Sequence, residues 1–215
     1  MAASHLRICE QWIKKGVIIT DPASTFIGPQ AKLSRGCVIE PFSFILGESS
    51  IGKGSVIGPF TRLRDCKVGE KVSIEQSVAE GSIFKKGCVV GPWTRVRPGC
   101  VIGEGAHLGN FCEFKKAKIG KHVRAGHLSY VGDAQVGEHT NLGAGTITAN
   151  YDGLAKHATR IGKRAFIGSG SILVAPIQVG DFGVTGAGAV LLKGRNVPKR
   201  GLALGLPARI VKTKP

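Results

Sequence analysis

The chain has 215 residues, with 30 Lys and Arg against 14 Asp and Glu, a net charge of +16. Only 6% of the residues are aromatic while 32 are glycine, which excludes a ring-filled globular core and favours stacked aliphatic columns with small turn residues. An apolar run of membrane length and a signal-peptide core are both lacking, so a cytoplasmic address is expected. The basic balance points to an anionic partner; without zinc-finger or basic-zipper spacing, a phosphorylated metabolite or coenzyme suits it better than nucleic acid.

A short helix is predicted over 5–15, with Leu6, Cys9 and Ile13 on one face, Trp12 beside them and Gly16 ending it. Positions 17–19 read as a strand and Asp21-Pro22 as a turn. From Ile27 a six-residue beat takes over. Aliphatic–glycine pairs recur at Ile27-Gly28, Ile51-Gly52, Ile57-Gly58, Ile102-Gly103, Leu108-Gly109, Ile161-Gly162 and Ile167-Gly168, with Leu33, Ile39, Ile45, Leu63 and Leu173 filling intervening registers. A period of six is neither helical nor alternating. It suits a coil of three short faces, about 18 residues per turn and roughly nine turns, which is a parallel β-helix. The beat slips by one residue before Val68, at Ile119 and at Val136, blurs over 75–84, and is interrupted over 149–159. The predicted organisation is a helix and linker over 1–22, a solenoid over 23–193 with a protruding loop at 149–159, and a tail over 194–215.

Six cysteines carry no CxxC pair, and five of them, Cys37, Cys66, Cys88, Cys100 and Cys112, stand two residues before a beat position. That spacing describes a small inward slot, so the thiols are expected to be reduced, buried and structural rather than disulfide or metal ligands. Strongly polar positions cluster ahead of the loop: Arg95, Arg97, Lys115, Lys116, His127, Tyr130, Asn141 and Asn150. Arg97 and Lys115 are one coil apart, with Asn110 at an adjoining level. They are either two cations presented to one phosphate or two unrelated surface charges. A loop leaving a solenoid commonly lies on its functional face.

Four segments carry a resemblance: Gly91-Pro-Trp-Thr-Arg-Val-Arg-Pro-Gly99, Gly105-Ala-His-Leu-Gly-Asn-Phe-Cys-Glu-Phe-Lys-Lys-Ala117, Ala125-Gly-His-Leu-Ser-Tyr-Val-Gly-Asp133 and Asn141-Leu-Gly-Ala-Gly-Thr-Ile-Thr-Ala-Asn-Tyr-Asp-Gly153. Together they resemble the acetyltransferase domain of the bacterial bifunctional glucosamine-1-phosphate acetyltransferase / N-acetylglucosamine-1-phosphate uridylyltransferase family, over roughly 5–200. The resemblance implies an all-β, left-handed parallel β-helix, assembled as a homotrimer with sites between subunits. It implies acetyl transfer from acetyl-CoA to the 2-amino group of glucosamine 1-phosphate, on the route to UDP-N-acetylglucosamine and bacterial envelope polymers. No G-x-G-x-x-G run occurs here, so the acetyltransferase half alone is expected, without uridylyl transfer.

Residue by residue, the resemblance assigns His127 as the base that takes the amine proton, with Glu113 as a carboxylate orienting it. Arg97 and Lys115 match sugar-phosphate ligands, Tyr130 and Asn141 further sugar contacts, and Asn150 and Tyr151 a segment near the reacting acetyl group. Ala144, Ser169 and Ala187 match acetyl-CoA positions, small enough to let the pantetheine arm approach the backbone. The C-terminal end departs from the family: its coenzyme-phosphate arginine is replaced by Leu204, leaving Arg209, Lys199 or Arg200 to supply that charge. His107, His122, His127 and His139 raise the alternative of a three-histidine metal hydratase on the same fold; the surrounding segments favour the acetyltransferase, and no catalytic metal is expected. The remaining alternatives are acyl transfer to another amino-sugar phosphate and a non-catalytic trimeric scaffold.

Overall fold

The computed structural model describes residues 2–211, with side chains from His5 onward. The helix spans Ala2–Lys14, and Gly16 follows at φ +84°, a left-handed turn that glycine adopts without a Cβ penalty. Its covered side is Cys9, fully buried, with Ile8 and Trp12 packed partly against the core. Leu6 and Ile13, predicted to share that side, are exposed. The helix lies over the strands Ile18–Ile19 and Phe26–Ile27. It acts as a lid on the first coil, which needs one narrow apolar stripe rather than a wide one.

From Ile18–Ile19 the chain winds as a left-handed parallel β-helix. Its three faces, numbered in the order in which the chain first visits them, are sheets of 12, 10 and 9 strands. Ile19 registers with Ile39, Ile45 with Leu63 and Leu33 with Ile51, so residues about one coil apart stack. The beat positions point inward, and Ile39, Ile45, Ile51, Ile57 and Leu63 are no more than 2% exposed. Where the beat blurs, the strands Ser73–Ile74, Val78–Glu80 and Ile83–Phe84 continue the three ladders. The buried ring of Phe84 shares a coil with buried Ala79, a large and a small residue that together keep the interior filled.

Stacking also extends past the predicted limits. It begins at Ile18–Ile19, inside the expected linker, and continues through Val184↔Leu202 into the expected tail. There Leu202–Gly205 turns back antiparallel onto Ala208–Val211 and ends the first face.

All six cysteines are free and buried. Loss of hydration pushes their thiols up, Cys37 and Cys66 to about 11 and Cys88 to about 12. The same inward slot takes Ser49 and Ser55 elsewhere. Each donates its hydroxyl to a carbonyl (Leu46 at 2.6 Å, Gly69 at 2.8 Å) and accepts an N–H from the next coil (Cys66 at 3.1 Å, Val72 at 3.0 Å). A buried hydroxyl is tolerated there because its hydrogen bonds are made.

Candidate active site

His127 ends the strand Arg124–His127 on the first face, and its register partner one coil earlier is Asn110, at the end of His107–Asn110. The imidazole is exposed, and its Nδ1 meets Asn110 Oδ1 at 2.6 Å. The two strands close tightly just before this pair: a Cβ on Gly109 would fall 2.0 Å from the Gly126 carbonyl oxygen. Glycine at 109 is therefore a condition for the stacking of His127 on Asn110.

Below His127 the backbone forms a single file. The His127 carbonyl accepts from Gly145 N–H at 3.4 Å, Ala144 from Gly170 at 2.7 Å, and Ser169 from Gly188 at 2.7 Å. Ala144, Ser169 and Ala187 thus follow His127 one coil at a time, so Ala187 lies about 14 Å away at ~4.8 Å per strand. A Cβ on Gly126 or Gly188 would meet nothing within 4 Å, which leaves the file open to an extended ligand. Register carries the neighbouring column on from Gly186 to Leu204, whose side chain leans over Gly186. Arg209 stands opposite Leu204 in the terminal hairpin, whereas Arg200 lies over the Phe182 ring, 5.5 Å from its centroid.

The second face carries the cations. Arg97 and Lys115 lie in adjacent coils, Arg97 N–H donating to the Phe114 carbonyl. Arg97 Nη1 pairs with Glu113 Oε1 at 3.0 Å. Glu113, expected to orient His127, engages Arg97 instead, and the imidazole is held by Asn110. Lys115 is only 8% exposed, and its Nζ pairs with Asp133 Oδ2 at 3.1 Å. Asn150 Nδ2 donates to the same oxygen. Gly132 lets these side chains close in: a Cβ there would stand 2.5 Å from the Tyr130 hydroxyl and 2.8 Å from Asn150 Nδ2 and push them aside. Lys115, Tyr130, Asp133 and Asn150 therefore form one cluster.

The loop adds a further cation. Residues 150–158 leave the coil between Ile147–Ala149 and Thr159–Ile161, pinched by an antiparallel bridge between Tyr151 and Lys156. Lys156 reaches Lys115. Their contact and the Asp133 carboxylate hold the Lys115 pKa up, while the same contact and the Lys115 charge push Lys156 down. The loop is stiffened by Asp152, which accepts N–H bonds from Ala155 and Leu154 and contacts His157 Nε2 at 2.6 Å. These donors hold its carboxyl well below the usual carboxylate range. Tyr151 is 60% exposed, with its hydroxyl donating to the Gly153 carbonyl at 2.6 Å.

Two expected partners stay apart within the chain. Asn141 stands on the outer side of the first face between Arg124 and Phe166, far along its strand from Ala144 and around the corner from Tyr130. His122 and His139 stack on each other at 5.0 Å, and among the described residues no three His, Cys, Asp or Glu side chains gather as a metal site. A groove along the third face runs past Lys118, Gln135, Arg160, Gln178 and Asn196 to Lys199, one of the alternatives for the coenzyme-phosphate charge, and away from His127 and the cation cluster. Sequence reasoning missed the parts played by Asn110, Asp133 and Lys156. Asn110 had the signal, one coil before His127; Asp133 and Lys156 depend on a corner and a loop that no period fixes.

The chain is 46% identical over 185 residues to the bifunctional protein GlmU of Bifidobacterium longum (strain NCC 2705), covering 86% of this chain and 40% of that protein. It is 44% identical over 208 residues to the bifunctional protein GlmU of Thermotoga sp. (strain RQ2), covering 97% of this chain and 46% of that one. It spans less than half the length of these GlmU relatives. A family model described as the GMPPB C-terminal domain matches residues 22–123. In fold, the chain superposes on LpxA from Acinetobacter baumannii with a TM-score of 0.61 at 19% identity, over 90% of this chain and 73% of that one. For the Arabidopsis UDP-N-acetylglucosamine acyltransferase the TM-score is 0.56 at 14% identity, over 91% and 72%.

Proposed function

We propose that this chain transfers an acetyl group from acetyl-CoA to the 2-amino group of glucosamine 1-phosphate, giving N-acetylglucosamine 1-phosphate. The observation that carries the reading is the open file of Ala144, Ser169 and Ala187 leading down from His127. An extended thioester arm laid along that file has exposed backbone to bond and delivers its carbonyl carbon to the imidazole. With Nδ1 engaged by Asn110, Nε2 is the accepting nitrogen. His127 takes a proton from the sugar amine as the nitrogen attacks. The N–C bond forms, the C–S bond breaks, and the proton passes to the departing sulfur. A cysteine acyl-enzyme is disfavoured because all six thiols are buried and their pKa values raised.

Arg97, Lys115 and Lys156 are the groups for the 1-phosphate, and Tyr130, Asn141 and Asn150 hydrogen-bond the sugar. Tyr151 stays close to the acetyl group in this reading. The base with its file and the cation cluster lie on two faces separated by the corner residues Phe111 and Leu128, 56% and 61% exposed. Asn141 stands apart from both. A homotrimer, with a neighbouring chain covering that corner, supplies the enclosure that a single chain lacks. We place the enzyme in the cytoplasm, with small-molecule partners rather than membrane or nucleic acid; among the described residues no helix is long and apolar enough to cross a membrane.

The test is release of CoA from acetyl-CoA in the presence of glucosamine 1-phosphate, beside His127→Ala and beside other amino-sugar phosphates. Turnover that collapses in the variant supports the reading. Faster turnover with another amino sugar moves the substrate while keeping the chemistry. Neither turnover nor CoA binding by a trimer returns the chain to a scaffold role.

A further inference from the structure

We infer that Asn110 is the positioning residue for the His127 imidazole, and that the reaction runs with a neutral amide rather than a carboxylate behind its base. The inference rests on the proposal that His127 is that base. Its ground is the 2.6 Å contact between His127 Nδ1 and Asn110 Oδ1. An amide oxygen can only accept, so the proton lies on Nδ1 and the lone pair on Nε2. The pairing is fixed by the ladder, because Asn110 and His127 are register partners and Leu128 N–H donates to the Asn110 carbonyl at 3.0 Å. The nearby carboxylate is otherwise occupied: Glu113 lies around the corner on the second face and pairs with Arg97.

The charged and titratable groups on the strands packed around His127 are few. His107 stands on the strand above and Arg124 on its own strand, both at the far end of the first face, while the coil below brings Asn141 and Ala144. These strands carry no carboxylate. A neutral partner fixes the tautomer without stabilising the imidazolium. A carboxylate at 110 would do both, favouring the charged form of the ring and raising the pH at which it becomes a base.

The experiment uses the full chain with ¹⁵N-labelled histidine. Ring ¹⁵N shifts of His127 read the tautomer without reference to turnover, and the pH profile of kcat/KM reads its consequence. In the native chain the ring is expected as the Nδ1–H tautomer. Asn110→Ala mixes the tautomers and lowers kcat roughly 10–100-fold with little change in the KM for acetyl-CoA. Asn110→Asp keeps the Nδ1–H tautomer and most of the activity, but moves the acid limb of kcat/KM upward by about one pH unit. A tautomer unchanged in Asn110→Ala, or an acid limb unmoved in Asn110→Asp, overturns the inference. A tautomer that scrambles in Asn110→Ala while turnover stays native sustains the positioning and overturns His127 as the base. Thermal unfolding separates these outcomes from simple loss of fold.

Discussion

The two halves of the candidate site are built by opposite means. On the first face the file below His127 consists of small residues and open backbone, with the His127 ring set against the Asn110 amide at its head. On the second face the groups are charged or polar, with Arg97 paired to Glu113 and both Lys115 and Asn150 held on Asp133. One half functions by leaving room, the other by holding charge where water is scarce. Damage to the first should therefore appear in chemistry or donor affinity with the fold intact, and damage to the second in sugar-phosphate affinity and stability together.

The largest expected effect is His127→Ala. Loss of a positioned general base costs ~10²–10⁴-fold in kcat. Because the ring is exposed, unfolding temperature and the KM for acetyl-CoA should barely move. A variant that retains a tenth of the native kcat would assign the base elsewhere.

Next comes Lys115→Met, where both consequences should appear. It strips the counter-charge from Asp133, in a pair whose side chains are 10% and 18% exposed. The loss is about 2 kcal/mol, under the range for fully buried pairs, or roughly 4–8 °C in unfolding temperature at this chain length. The KM for the sugar phosphate rises as well, while that for acetyl-CoA holds. The raised Lys115 pKa fixes the sign with pH: its contribution is fully present below the ordinary 10.5 and is lost as pH climbs through the higher folded value. Calorimetry in alkali should find the native chain and the variant converging there.

Ala187→Phe tests the other half. A ring in the file costs about 1–3 kcal/mol of donor binding, roughly 10–100-fold in the KM for acetyl-CoA. The sugar-phosphate KM and the fold should stay native, since Ala187 is exposed. An equal rise in both KM values would mean that the file is not a separate donor track.

Legibility in the sequence follows the same division. The solenoid was readable because each coil repeats one steric demand: a large aliphatic at the beat and a small residue two places earlier, as at Ile39 and Cys37. Both are fully buried. The helix was readable in extent but not in facing, because only Cys9 and its neighbours meet the coil beneath. Register placed Arg97 one coil from Lys115, since sequence separation becomes vertical distance in a solenoid. What it could not give was pairing around corners. Glu113 and His127 are 14 residues apart, less than one coil, and that shortfall puts them on different faces. Asp133 sits at a positive φ of 48°, and this turn brings its carboxylate to Lys115 and Asn150. Such a contact comes from backbone geometry, which the beat does not encode.

The smallest expected effect concerns the loop that carries Lys156. Asp152 holds the amides of Leu154 and Ala155, contacts His157, and reaches Lys193 at 3.8 Å. It thereby fixes the turn that presents Lys156. Its pKa is lowered in the fold, by the Ala155 and Leu154 amides first and His157 after them. A lowered carboxylate stabilises above its unfolded value of 3.8, and that contribution is lost only as pH falls through the folded value below it. Protection of the Leu154 and Ala155 amides, corrected for intrinsic exchange, should therefore persist to below pH 3.8 and then fade. In Asp152→Asn the protection should be weaker at every pH, with no added loss in acid. Protection that vanished well above that point would show a loop held by something other than Asp152, and with it the argument that one carboxylate sets the position of Lys156 would fall.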